Sequence, residues 1–164
     1  MIRTLLLTCV TCVLLFTSCS ENSTSPIDLA NGLNFTLAGA VSGKFSATTA
    51  TAVTTTVDGK QVLAITGTQE INGKDVTVVI SVFSPAKKTY DLTIQNVDDP
   101  PVFCTINVED ISTYGSTTGT LKITEYGTSL GSKVKGTFSF NLYDAGLNEL
   151  KVTSGTFNLL HVVY

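Results

Sequence analysis

From Leu33 to the C-terminus, apolar and polar side chains alternate with a period of two, the repeat of a pleated strand with one face buried. Thr, Val, Ile and Phe dominate these stretches, and such residues suit a pleated, half-buried surface. Leu33, Phe35, Leu37 and Val41 open the pattern. A Thr-rich strand near 49–57, a strand near 60–70 and a strong strand near 74–83 follow. Asp58-Gly59 and Asn72-Gly73 join these three, and both dipeptides suit type I′ hairpin turns. In the third strand Val76, Val78, Ile80 and Val82 share one face.

Ser84-Pro85-Ala86-Lys87 turns the chain into a segment aligning Tyr90, Leu92 and Ile94, and Asp98-Asp99-Pro100-Pro101 ends it. Val102, Cys104, Ile106 and Val108 then share a face. Residues 109–119, EDISTYGSTTG, read as a long polar excursion leading to a strand with Leu121 and Ile123 together. After 127–132, a strand over 133–142 carries Val134, Phe138, Phe140 and Leu142 on one face and Lys135, Thr137, Ser139 and Asn141 on the other. YDAGLN makes the last hairpin, and 149–163 is the closing strand. No stripe of 3.6-residue period occurs beyond the first 18 residues. The expected fold is all-β, an antiparallel meander of about 9–10 strands forming a sandwich or an up-and-down barrel.

The closing strand contains a parity conflict. Leu150 and Val152 are even, whereas Phe157, Leu159 and Val163 are odd, so regular pairing would turn one set outward. One extra residue at Ser154-Gly155, a β-bulge, keeps both sets inward. A Gly-x-Phe step recurs at Gly43, Gly136 and Gly155, each followed two positions later by Phe45, Phe138 or Phe157. We read it as strand grammar, glycine for a bulge or close approach and phenylalanine for the core, not as a repeat of fixed period.

The first 18 residues follow a different rule. Arg3, an apolar run from Leu5 to Phe16 and then Thr17-Ser18-Cys19 give the order of a secretory signal peptide. The run is shorter than the roughly 20 residues a spanning helix needs. Phe16-Thr17-Ser18-Cys19 resembles the lipobox of bacterial lipoproteins, with Phe16 where Leu is usual, and this resemblance makes Cys19 the lipid attachment site. Residues 19–32 then serve as lipidated N-terminus and tether, and 33–164 as a single all-β domain.

This division changes the charge balance. From Cys19 onward the chain has nine lysines and no arginine against thirteen acidic residues, a net charge near −4. Such a chain lacks the basic surface that nucleic-acid binding requires. With Cys19 acylated, Cys104 is left without a disulfide partner and is expected as a buried small apolar residue.

The signal ending in Cys19, the early Gly43-Lys44-x-Phe45 and the late VKGTFSFNLYDAGLNELKVTSGTFNL resemble a family of small β-rich lipoproteins of Bacteroidota, grouped as a domain of unknown function. The late hairpin, Gly136-Thr137-Phe138-Ser139-Phe140 with Ser154-Gly155-Thr156-Phe157, carries most of the resemblance. It implies a fold and a cell-envelope location, at the outer membrane, and no catalytic residues.

Candidate chemistry is sparse. His161, the single histidine, shares parity with Phe157 and Leu159 and is expected in the core or at a sheet edge. One histidine and one buried thiol do not make a zinc site. Asp98-Asp99 and Glu109-Asp110 are the acids to weigh for glycoside hydrolysis or calcium, but neither spacing suits, and solvated loops explain them. Tyr114 and Tyr126, each beside a glycine and read as loop or strand-end aromatics, are the candidate binding residues for a glycan or peptide. No catalytic residue, metal or cofactor is expected. The expected function is a membrane-anchored, non-catalytic binding or structural module, with a glycan or an envelope protein as partner and no nucleic acid. The alternative is a small β-barrel ligand carrier or a glycan-active enzyme of the envelope.

Overall fold

A computed structural model describes residues 32–93 and 100–163. Ten strands are present: β1 (Gly32–Gly39), β2 (Gly43–Ala47), β3 (Thr51–Val57), β4 (Lys60–Ile71), β5 (Lys74–Phe83), β6 (Thr89–Leu92), β7 (Val102–Val108), β8 (Ser112–Tyr126), β9 (Lys133–Tyr143) and β10 (Glu149–Val163). Seven of them close a ring in the order β3, β4, β5, β7, β8, β9, β10 and back to β3. The all-β expectation holds, and the barrel alternative is the one realised.

A simple meander does not describe the ring, because two long strands each serve two neighbours along one edge. On one side β10 pairs with β9 from Glu149 to Leu160. On the other, its upper part pairs antiparallel with β1, and His161–Val163 pairs parallel with β3. β8 likewise takes β7 near its start and β6 further on, so β6 skips over β7. The length of β10 and β8, fifteen residues each, makes this sharing possible.

Both predicted hairpins have the expected geometry. Asp58 and Gly59 have φ of 49° and 75°, and Asn72 and Gly73 have φ of 55° and 76°, the doubly positive pattern of a type I′ turn. β5 follows: Val76, Val78, Ile80 and Val82 are fully buried, as are Val102, Cys104 and Ile106 on β7. One continuous apolar cluster draws side chains from every strand and occupies the barrel interior. Burial of each Val, Ile, Leu or Phe stabilises the fold by about 1.5–3 kcal/mol.

Residues 112–119 are a correction. They form the first half of β8, and the turn from β7 is only 109–111, with Asp110 at φ 55°. Tyr114 pairs with Ile106 and is 1% exposed, a core side chain and not a loop aromatic. A register shift between Ser116 and Thr118 changes the parity, so Tyr114 and Ser116 point inward first and Leu121 and Ile123 afterwards. Ser116 Oγ accepts the Cys104 N–H at 2.8 Å, serving in place of a ladder carbonyl.

The bulge at Ser154-Gly155 is present. Pairing jumps from Val152 to Gly155 against β9, and Ser154 has φ 54°. The Gly-x-Phe steps on β9 and β10 interlock: Phe157 lies opposite Gly136, and Phe138 opposite Gly155. A Cβ on Gly155 would come within 2.6 Å of the Phe138 ring, and one on Gly136 would collide with the Phe157 ring and the Lys122 carbonyl. Gly119 on β8 yields to Phe140 in the same way. Each phenylalanine lies over the strand position that a glycine leaves open.

Candidate functional site

The parallel contact between β10 and β3 brings two buried polar side chains, His161 and Thr54, together. Antiparallel hairpin closure was not available there, and only three residue pairs make the seam. His161 and Thr54 both point inward, at 1% and 4% exposure. Nδ1 of His161 lies 2.6 Å from the Gly127 carbonyl, which only accepts, so this nitrogen carries the proton. In the neutral ring Nε2 then accepts from the Thr54 hydroxyl, 2.6 Å away. The Thr54 oxygen accepts in turn from the Tyr126 hydroxyl at 3.2 Å. The Tyr126 and His161 rings are 5.4 Å apart and tilted by 47°.

This relay also braces the 127–132 loop. The His161 N–H donates to Ser132 O at 2.7 Å, and Gly131 N–H donates to His161 O at 2.8 Å. Imidazole and hydroxyls are thereby buried with their hydrogen bonds made, which offsets the cost of removing them from water. Chemically, a hydroxyl on an imidazole oriented by a carbonyl has the connectivity of a base-activated nucleophile. Its burial inside the seam leaves the half-buried Tyr126 as the group nearest to solvent.

The structure brings one of the two candidate tyrosines to this cluster and not the other. Tyr126 ends β8 beside His161, whereas Tyr114 lies near the opposite end, where burial and then the Asp144 carboxylate push its phenol upward in pKa. Burial likewise pushes the Cys104 thiol well above its ordinary range, an inert core residue. Glu109 and Asp110 cap the β7–β8 turn: Asp110 pairs with Lys74 at 3.1 Å, and Glu109 accepts the Asp75 N–H at 3.4 Å. Asp98, Asp99 and Cys19 lie outside the described residues. Among the described residues, no group of three or more His, Cys, Asp or Glu side chains is placed to hold a metal ion.

Residues 35–160, from within β1 to within β10, match the model of a family described as Domain of unknown function (DUF6252). The chain belongs to this family. The match takes in the interlocked Gly–Phe pairs of β8–β10 and ends just before His161–Val163, the segment that pairs with β3. No curated protein and no solved structure matches the chain.

Sequence reasoning missed Thr54. It lies in the run TAVTTTV, where only its shared parity with Ala52 separates it from its neighbours. It also missed the grouping of Lys60, Lys87 and Lys88. The signal was there, because successive hairpin turns alternate between the ends of a barrel, but reading it requires the strand order.

Proposed function

We propose that this chain is a lipid-anchored protein of the cell envelope, of the Bacteroidota lipoprotein type, whose barrel serves as a non-catalytic binding or structural module. The anchor rests on the opening segment: a short apolar run ending in Phe16-Thr17-Ser18-Cys19. The observation that carries the module is the filled barrel. Leu63, Ile65, Ile80, Ile106, Leu121 and Leu142 are fully buried within one continuous cluster, so the axis is occupied by the chain's own side chains. This favours a module that meets partners on its outer surface over a carrier holding an apolar ligand inside. A glycan or another envelope protein is the partner class, and Tyr126 is the remaining tyrosine for such contact.

The test is metabolic labelling with palmitate followed by fractionation. The native chain is expected to incorporate label and sediment with membranes. Cys19→Ala is expected to abolish incorporation. Label retained by the Cys19→Ala chain would remove the anchor from this reading.

A further inference from the structure

The two ends of the barrel differ in charge. The end formed by the turns at 72–73, 109–111 and 144–148 carries Asp75, Glu109, Asp110, Asp144 and Glu149. Its lysines are matched to acids: Lys74 to Asp110 at 3.1 Å and Lys151 to Glu149 at 3.2 Å. The opposite end, formed by 58–59, 84–88 and 127–132, carries Asp58, the half-buried Lys133, the ion pair of Lys135 with Glu125 at 3.2 Å, and the exposed Lys60, Lys87 and Lys88. Among the described residues these three lysines form no ion pair.

One of them is held in place. The Tyr90 hydroxyl accepts the Ala86 N–H at 2.6 Å and donates to Ser84 O at 3.1 Å, pinning the 84–88 turn. Lys88 Nζ sits 4.7 Å from the Tyr90 ring centroid. Lys60 and Lys88 flank an open concavity of about 320 Å³ floored by Phe83, Pro100 and Pro101. Apolar side chains stand out at this same end: Leu130 at 75% exposure on its loop, Val57 at 51% and Phe83 at 36%. Cations with no ion pair among the described residues, beside protruding apolar side chains, complement a surface that is anionic outside and apolar beneath.

We propose that this end of the barrel docks on the surface of an anionic phospholipid bilayer, with Lys60, Lys87 and Lys88 on headgroup phosphates and Val57, Phe83 and Leu130 entering the interface. The inference rests on the lipid-anchored reading for its setting: the twelve residues between Cys19 and Gly32 span at most about 40 Å, so an anchored barrel stays beside the bilayer. Docking then fixes which end faces the lipid. The acidic end, with Leu147 and Ile111, points away.

The test uses the full chain with Cys19→Ala, so that no acyl group contributes and segment 5–16 contributes equally to every variant. The chain has no tryptophan, so Phe83→Trp and Leu147→Trp are unique reporters of the two ends. With phosphatidylglycerol-containing vesicles, emission from the first is expected to shift to the blue, and from the second to stay unchanged. Replacing Lys60, Lys87 and Lys88 together by Gln is expected to weaken vesicle binding at least about tenfold, and about 0.5 M salt to do the same. Lys44→Gln with Lys151→Gln, on β2 and at the acidic end, is expected to change it less than about twofold. Equal responses from both reporters, equal affinity for pure phosphatidylcholine vesicles, or an unchanged affinity of the triple variant would overturn the proposal. None of these outcomes alters palmitate incorporation at Cys19, so docking and anchoring fail separately.

Discussion

The β3–β4–β5 sheet and the β8–β9–β10 sheet build opposite walls of one barrel by different rules. In the first, apolar side chains face one another across the ladder, Leu63 against Val82 and Ile65 against Ile80. Its turns are two-residue hairpins and its register is unbroken. In the second, phenylalanine faces glycine three times, and the register shifts three times, at Ser116, Ile123 and Val152. The unit of packing is thus a single side chain in one sheet and a matched pair in the other. A regular sheet absorbs small changes one residue at a time. The paired sheet cannot, because the space for each ring is set by the strand opposite.

The largest effect is expected from deleting Ser154. Without the extra residue, either Leu150 and Val152 or Phe157, Leu159 and His161 must turn outward. The deletion variant is expected to lose its cooperative urea transition altogether. A cooperative transition at the native midpoint would show that β10 tolerates regular pairing, and the contrast between the two sheets would collapse.

A smaller effect compares one added carbon with one removed. Gly155→Ala drives a methyl into the Phe138 ring and carbonyl, and is expected to cost about 2–4 kcal/mol. Adding Phe138→Leu to that variant is expected to return part of the loss, since the ring supplies part of the collision. Ile80→Val, in the regular sheet, is expected to cost only about 0.5–1.5 kcal/mol. Urea denaturation of the four proteins measures all three quantities. Equal costs for Gly155→Ala and Ile80→Val would erase the distinction.

The smallest effect sharpens the comparison at the turns. The β9–β10 turn is held by a carboxylate: Asp144 accepts the N–H groups of Gly146 and Asn148, both at 2.9 Å, and the Asn148 side-chain amide. Those bonds, led by the Asn148 amide, hold its pKa below the usual carboxylate value. The sign follows directly. A folded pKa below the unfolded one contributes stability in full above the unfolded value, and that stability is lost as pH falls through the folded value. Amide exchange at 145–147 is therefore expected to quicken on acidification relative to the 84–88 turn, which is held by the Tyr90 hydroxyl and not by a carboxylate, once intrinsic rates are divided out. Asp144→Asn is expected to remove the pH dependence. Parallel behaviour of the two turns would contradict this.

The same contrast explains how much was legible beforehand. The β3–β5 sheet was readable because Asp58-Gly59, Asn72-Gly73 and a run of alternating Val and Ile each carry local meaning. The start of β8 was not, because Gly115 and Gly119 among Ser and Thr imitate a loop. Gly119 is there to admit Phe140, and Gly115 faces the Phe103 ring, so the reason for each lies on another strand. Tyr114 was misplaced with them. The Ser154 bulge was legible because a parity conflict is written within one strand. The relay of Tyr126, Thr54 and His161 joins residues separated by as many as 107 positions, and no local pattern reports a parallel seam.

That seam also governs when the barrel can form. Residues 161–163 close the ring against a strand made more than a hundred positions earlier. Loop-closure entropy must be met before such a contact returns anything, which places this topology among slow folders of high contact order. During synthesis the Val- and Ile-rich β4–β5 hairpin exists long before its ring is complete, with its apolar face unsatisfied. Until residues 161–163 are available the nascent chain is an open, sticky sheet. Its commitment to the native state waits until those three residues can reach β3.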